Sequence, residues 1–481
     1  MNNNAKALKS GLWYTFSNFL IQGINLLTTP VFARLLSKSE FGLYNNYLSW
    51  LSVFTILTTL RLESTLISAK FDYEKSFDSY IYSTNLLGLI ITLGWFAIIN
   101  IFHQFFTELT EVDWVYLNVM MVYLLFFPSI NLFQARERYR YEYKRNILVA
   151  VILATLTAGI SVSFVLGFKD KLSGRIYGGA IPTVVIGMIL FVILFRRGGE
   201  YKVEHWKYAL PVCLPYVPHL LSLTVLNATD RIMITRFCGS EYTAIYSLAY
   251  TCGLIVTLLS TSYNSAYAPW LGEKLHEQKH EEIREFAPKY ILSFLFFSAG
   301  IMLIGPDVLR FMGGKSYGDA IFVLPPVATG CFFQFVYSMF VNVEQFKKKT
   351  VWMAMASVAA AGINFVLNLI FIPRYGYYAA AYTTLVGYIV LLVLHMIIVY
   401  KMGYGRVYNY KFVGFIGVIA TVVMIGVTFI YQNNIIRIVF VVTYISVLAV
   451  FVYKNKARLL SLLRLRGKKI TPAKDRESAS E

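Results

Sequence analysis

The chain has 481 residues, 57% hydrophobic and 15% charged, and its apolar runs leave no room for a folded catalytic domain outside a bilayer. Its net charge of +18, from 44 basic and 26 acidic residues, would point to nucleic acid in a soluble protein. Here the basic residues cluster in the short breaks between apolar runs, which is the pattern of a membrane protein and no sign of a nucleic-acid partner.

A spanning helix needs about 20 mostly apolar residues. Stretches of that kind are expected at 11–36, 41–66, 79–102, 114–134, 146–168, 176–195, 208–237, 242–268, 289–307, 319–341, 351–372, 377–400, 411–431 and 434–453, about fourteen crossings. The first run is long and lacks a small-residue cleavage site, so it is expected to be a retained helix. Lys6 and Lys9, the group Arg136 to Arg145, Arg196 to Lys202, Lys347 to Lys349 and the tail from Lys454 to Arg476 all fall on one side if every run crosses once. The stretch from His103 to Asp113 has no Lys or Arg and carries Glu108, Glu111 and Asp113. Both termini are therefore expected in the cytoplasm. The longest connection, Glu273 to Lys289, is rich in Glu, Lys and His and reads as a polar loop able to form a short surface helix. Cys213, Cys238, Cys252 and Cys331 have neither metal-ligand nor redox spacing and read as small hydrophobic residues.

The chain repeats itself at one offset. Tyr44 aligns with Tyr246, 202 residues on, and the same offset pairs Arg34 with Arg236, Tyr14 with Tyr216, Gly42 with Ala244, Gly174 with Gly376 and Gly178 with Ala380. The expected fold is an all-α polytopic membrane protein of two six-helix bundles around a central cavity, plus two C-terminal helices. The bundles are expected at 1–206 and 207–400, the added helices at 401–453, and a basic cytoplasmic tail at 454–481. Six crossings return the chain to its starting side, so the two bundles share orientation, as in parallel-repeat transporters.

Ionisable residues inside spans cost several kcal/mol unless they face a cavity or a partner. Arg61 and Arg231 are the first candidates for a cavity wall, because a guanidinium grips phosphate with two parallel donors. Asn18, Gln22 and Asn25 share a helix face and suit sugar hydroxyls or contacts between helices. Arg34 and Arg236 lie near the ends of their spans, where a substrate contact and a loop contact are equally open. Glu63 and Asp230 are the intramembrane acids that qualify for ion coupling. Arg61 and Glu63 equally fit side chains snorkelling to the interface, and adjacent Asp230 and Arg231 point about 100° apart on a helix. Pro211, Pro215 and Pro218 break the backbone ladder of one span and mark a hinge or an unwound lining segment. His219 is a proton relay or a packing residue, and Asn364 and Asn368, four apart, read as contacts between helices. No Walker motif, acidic sugar-nucleotide cluster or His/Cys metal set is present, so neither enzyme activity nor a cofactor is expected.

Three stretches resemble the polysaccharide repeat-unit (Wzx-type) flippases of the multidrug/oligosaccharidyl-lipid/polysaccharide exporter superfamily. They are Thr29 to Tyr44 (TPVFARLLSKSEFGLY), Asp230 to Ile234 (DRIMI) with Ala244 to Tyr250 (AIYSLAY), and Asn364 to Asn368 followed by Ile372 to Gly376 (IPRYG), Ala379 to Ala381 and Thr384. Ala244 and Ala379 stand where such flippases commonly carry Gly. The resemblance implies export of undecaprenyl-diphosphate-linked oligosaccharide across a bacterial plasma membrane, with glycosyltransferases and a polymerase of capsule or exopolysaccharide assembly as partners. A multidrug extruder or a lipid II flippase of the same superfamily is the near alternative. A membrane polysaccharide polymerase is more distant, since it needs a large catalytic outer loop.

Overall fold

The computed structural model describes residues 22–24, 26–140, 142–214, 217–347 and 350–454. Asn18, Asn25, Pro215 and the tail from residue 455 lie outside these residues, as do the side chains of His219 and Asn227. The described chain is helical throughout. Helix α1 is seen at 22–24 and 26–35. It is followed by α2 (Lys38–Thr59), the short α3 (Leu66–Asp72), α4 (Phe77–Ile101), the short α5 (His103–Thr110), α6 (Trp114–Tyr139), α7 (Tyr143–Gly167) and α8 (Lys171–Gly198). Next come α9 (Val203–Cys213), α10 (Val217–Cys238), α11 (Ser240–His276), α12 (His280–Gly313), α13 (Leu324–Phe346), α14 (Thr350–Tyr375) and α15 (Tyr377–Val399). Two more, α16 (Tyr410–Ile430) and α17 (Asn434–Lys454), close the series. Ten of the described helices are long and apolar enough to cross a membrane. The expected total of fourteen also counts α1, α2, the α9–α10 pair and α17, which are helical but not among those ten.

Helix pairing follows the 202-residue repeat. In the first bundle α6 and α7 both pack on α8, and α4 packs on α6; in the second, α13 and α14 pack on α15, and α12 packs on α13. The bundles meet where α2 lies against α10 and α11. Helices α16 and α17 add to the second bundle on α12 and α13.

Local chemistry sets several boundaries. Ser37 accepts from the Glu40 amide at 3.2 Å while Glu40 Oε2 accepts from the Ser37 amide at 2.7 Å, a capping box that starts α2 at Lys38. Helix α2 was expected to run to 66, but it stops at Thr59. Leu60 and Arg61 are left-handed (φ 46° and 54°), and a short 3₁₀ turn spans Leu62–Thr65. The Thr59 hydroxyl accepts from the Arg61 amide at 3.2 Å, a side-chain-to-backbone bond that competes with the helical ladder. Arg61 and Glu63 thus sit on a turn rather than within a helix. The Glu273–Lys289 connection is not a loop either. Helix α11 runs 37 residues, about 55 Å at 1.5 Å per residue, well over the hydrocarbon thickness of about 30 Å. The α11–α12 hairpin therefore stands clear of the apolar layer and turns at Glu277 to Lys279. There Lys279 and Lys274 hold the Glu277 carboxyl below its ordinary range. Pro211 lies inside α9 and Pro218 at the second position of α10, on either side of the break between those helices.

Candidate functional site: a cavity between the bundles

A cavity of about 1160 Å³ lies between the two bundles. Its walls come from α1, α2, α6, α7 and α8 of the first bundle and α10 and α11 of the second. Three guanidinium groups line it, those of Arg61, Arg175 and Arg231, and among the described residues no Asp or Glu does. The lining therefore favours an anion over a cation.

Arg175 was not anticipated, because the sixth span was expected to begin at 176. Helix α8 begins at Lys171 instead, which places Arg175 inside it. Asp170 caps that start, its Oδ1 accepting from the Leu172 amide at 3.1 Å, and Gly174 and Gly178 set how closely the first turns pack. A Cβ on either would fall 2.7 Å from the Phe164 carbonyl oxygen or 2.4 Å from Ser161 Cα, so these two small residues let α8 close against α7. Arg175 is held between aromatic faces, its guanidinium carbon 3.9 Å from the Phe32 ring centroid and 4.3 Å from that of Tyr44. Its Nη1 donates to Ser161 Oγ at 2.7 Å, while its Nε has no partner among the described residues. Arg231 donates from Nε to Ser247 Oγ at 3.2 Å and lies 4.6 Å from the Tyr250 ring centroid. Arg61, at the far end of α2, pairs with Glu63 at 3.3 Å.

Between these arginines α2 presents Asn45, Ser49, Ser52 and Thr55 to the cavity. Each donates its own hydrogen back to the helix, to the carbonyls of Phe41 (2.7 Å), Asn45 (2.9 Å), Leu48 (2.9 Å) and Leu51 (2.6 Å) respectively. The side-chain oxygens of the three hydroxyl residues keep free lone pairs. The cavity therefore pairs fixed cationic donors with a row of acceptors. Anions suit the first and sugar hydroxyls the second.

Of the residues expected to contact substrate, Arg61, Arg231 and Gln22 line the cavity. Arg34 and Arg236 lie instead at the end where α2 and α11 begin. Arg34 Nη2 donates to the Phe311 carbonyl of the second bundle. Arg236 Nη1 donates to the Glu108 carbonyl of the first bundle and pairs with Glu111, both at 3.1 Å. Ser39 Oγ and Ser240 Oγ are 2.9 Å apart across the same junction, which closes that end of the cavity. Asp230 points away from the cavity and is 1% exposed. It accepts from Thr384 Oγ1 at 2.6 Å, from Asn368 Nδ2 at 2.7 Å and from the Tyr246 hydroxyl. Asn364 joins this network by donating to Thr384 Oγ1 at 3.3 Å. One carboxylate thus ties together α10, α11, α14 and α15.

Comparison with known proteins agrees with this architecture. Residues 7–275 match the family described as "Polysaccharide biosynthesis protein", and residues 215–370 match the MatE family. A protein of the Lsg locus of Haemophilus influenzae is 24% identical over 337 residues, covering 65% of this chain and 79% of that protein. A membrane protein of Methanocaldococcus jannaschii is 22% identical over 450 residues, covering 86% and 88%. Among solved structures, the lipid II flippase MurJ in an inward closed conformation superposes with a TM-score of 0.69 at 15% identity, over 92% of this chain and 99% of that one. An inward-facing multidrug resistance transporter of the MATE family gives 0.61 at 15% identity, over 80% and 95%. A two-bundle helical fold around a polar cavity, a match over more than half its length and these neighbours place the chain in the polysaccharide biosynthesis protein family of the multidrug/oligosaccharidyl-lipid/polysaccharide exporter superfamily.

Proposed function

We propose that this transporter is a flippase for oligosaccharide repeat units linked to undecaprenyl diphosphate, moving them from the inner to the outer leaflet for capsule or exopolysaccharide synthesis. The observation that carries the reading is the cavity wall of Arg61, Arg175 and Arg231 with no carboxylate among the described lining residues. A diphosphate needs such a wall, whereas a cationic drug needs the opposite charge. The acceptor row on α2 supports a sugar-bearing head group.

The positive-inside pattern supports an orientation with the Arg61 end facing the cytoplasm of a bacterium and the Ser39 junction facing out. In that orientation the cavity is sealed toward the outside, and the lipid tail stays in the bilayer while the head group crosses. Asp230 and Glu63 are the acids through which an ion gradient would act on the cycle. Glycosyltransferases supply the substrate and a polymerase consumes it.

Lipid II is the second reading. The superposition on MurJ over 92% of the chain favours it. Deleting the chain from its host decides between the readings. Completed lipid-linked repeat units should accumulate on the inner leaflet, and mass analysis of their glycan separates a polysaccharide unit from lipid II. Repeat units that still reach the outer leaflet in the deletion strain would sink the first reading, and lipid II that still does so would sink the second.

A further inference from the structure

Helix α5 (His103–Thr110) lies outside the cavity wall and between two spanning helices, α4 and α6. Helix α4 runs 25 residues, about 37 Å at 1.5 Å per residue, against a hydrocarbon thickness of about 30 Å. Its last turn therefore reaches the head-group level. There Phe102 leaves the helical region (φ −105°, ψ 38°) and turns α5 off the α4 axis. The chain re-enters the apolar layer at Trp114, the first residue of α6. The eight residues of α5 thus lie at the boundary between lipid and water, on the side of the Ser39–Ser240 junction.

The side chains of α5 divide into three faces. Phe106 and Thr110 turn to the first bundle. The Phe106 ring lies 6.2 Å from that of Phe54, and the Thr110 carbonyl accepts from Asn46 Nδ2 at 2.8 Å, both partners belonging to α2. Gln104 and Glu108 form an exposed polar face. Phe105 and Leu109, one turn apart, form the third face with Phe102 at the head of the helix, and the three are 59%, 46% and 57% exposed in that order. Their neighbours indicate what covers them. Ile98 and Ile101 at the end of α4, and Trp114 and Val115 at the start of α6, are exposed apolar side chains of spanning helices. The apolar face of α5 is continuous with a surface that the bilayer already covers. No Lys or Arg lies between His103 and Asp113, so apolar insertion rather than attraction to anionic head groups would hold it.

We propose that α5 is an interfacial membrane anchor: Phe102, Phe105 and Leu109 insert into the leaflet at the junction end and fix the depth of the groups that Arg236 grips. Those groups are the Glu108 carbonyl and the Glu111 carboxylate, each 3.1 Å from Arg236 Nη1. They sit at the C-terminal end of α5, where a cation also meets the negative end of the helix dipole. The repeat carries a counterpart. Phe311, 202 positions beyond Leu109, is 69% exposed, and its carbonyl accepts the bond from Arg34. In both bundles, an apolar side chain facing outward stands beside the carbonyl that the other bundle holds.

Collision measurements on nitroxide labels test the anchor. Phe105→Cys, Leu109→Cys, Gln104→Cys and Glu108→Cys are labelled one at a time in the full chain with its four native cysteines replaced by alanine, in vesicles of phosphatidylethanolamine and phosphatidylglycerol. Oxygen, which dissolves in lipid, should dominate at 105 and 109, and a water-soluble nickel chelate at 104 and 108. Nickel access at 105 and 109 equal to that at 104 and 108 would overturn the proposal, because the face would then be in water. Poor access of both reagents at 105 and 109 would also overturn it, because protein would cover the face. Hydrogen exchange gives a second reading without labels or cysteine replacement. Phe105→Ser/Leu109→Ser should speed exchange of the α5 amides by about tenfold or more, since two apolar side chains leave lipid, and Gln104→Ser should not change it. Unchanged exchange in the double variant would remove the anchor. The anchor does not depend on what the cavity carries, so its failure leaves the transport reading untouched.

Discussion

Arg34 and Arg236 occupy equivalent places in the two bundles, and each crosses to the other bundle. Arg34 reaches the Phe311 carbonyl at the end of α12, and Arg236 reaches the Glu108 carbonyl and the Glu111 carboxylate beside α5. Position 311 lies 203 residues beyond Glu108, within one residue of the 202-residue offset, so the two carbonyl contacts are near-equivalents in the repeat. They form reciprocal clasps on the Ser39–Ser240 junction. Exposed ion pairs contribute about 0–1 kcal/mol, so Arg236→Ala should shift the closed–open ratio of this junction by up to about fivefold. High salt should mimic that change because it screens the Arg236–Glu111 pair. Arg34→Ala, which removes a bond to a carbonyl, should be less sensitive to salt. Spin-label distances across the ends of α2 and α11 report the ratio. Unchanged distances in the double variant would remove the clasps from gating.

Gly42 makes the junction possible. A Cβ there would fall 1.7 Å from the Ser240 carbonyl oxygen, a backbone atom that no side-chain rotation can clear. Gly42→Ala must therefore push α2 and α11 apart, at a typical overpacking cost of about 1–3 kcal/mol. The expected outcome is a protein biased toward opening at this end, with weaker cross-linking between cysteines placed at Ser39 and Ser240. Full cross-linking would show that the two helices absorb the methyl group elsewhere.

The bundle repeat was legible in the sequence because paired residues such as Tyr44/Tyr246 and Arg34/Arg236 keep one offset without gaps. Helix ends were less legible. Thr59 and the left-handed pair Leu60–Arg61 end α2 without a glycine or proline to announce it. The Glu273–Lys289 connection was read as a polar loop able to form a short surface helix, and its continuity with α11 and α12 was not legible, because hydropathy marks where a membrane ends, not where a helix does. Arg175 escaped for the same reason: a charge at the edge of an apolar run looks like a boundary. Its stacking between Phe32 and Tyr44 depends on residues more than 130 positions away. Asp170 was the available signal, a capping residue five positions before Arg175 that starts α8 at Lys171.

Arg175 should prove a strong anion contact in the cavity. A hydrogen bond to a charged partner contributes about 1.5–3 kcal/mol, so Arg175→Gln should weaken binding of undecaprenyl diphosphate at least about tenfold. Arg175→Lys should restore little, because an ammonium has neither the planar face that Phe32 and Tyr44 sandwich nor the fork that grips phosphate. The α2 row should behave differently. Ser49→Ala, Ser52→Ala and Thr55→Val should each weaken binding of the glycosylated lipid several-fold and leave undecaprenyl diphosphate unaffected. Titration of both ligands into the purified full chain checks this, and equal losses for the two would erase the distinction between phosphate and sugar contacts.

Asp230 combines a structural task with its candidacy for ion coupling, and two substitutions separate them. Asp230→Ala strands the donors of Asn368, Thr384 and Tyr246 in a dry interior, at about 1–3 kcal/mol for each unsatisfied group. That variant should accumulate poorly in the membrane. Asp230→Asn keeps the shape and one acceptor oxygen, so it should reach the membrane at near-normal levels with modestly lower thermal stability. What it loses is the negative charge, the feature an ion gradient would act on. A folded Asp230→Asn protein that fails to export marks the carboxylate as part of the energy coupling. Normal export from the same variant confines Asp230 to holding α10, α11, α14 and α15 together, and Glu63 becomes the remaining acid to test.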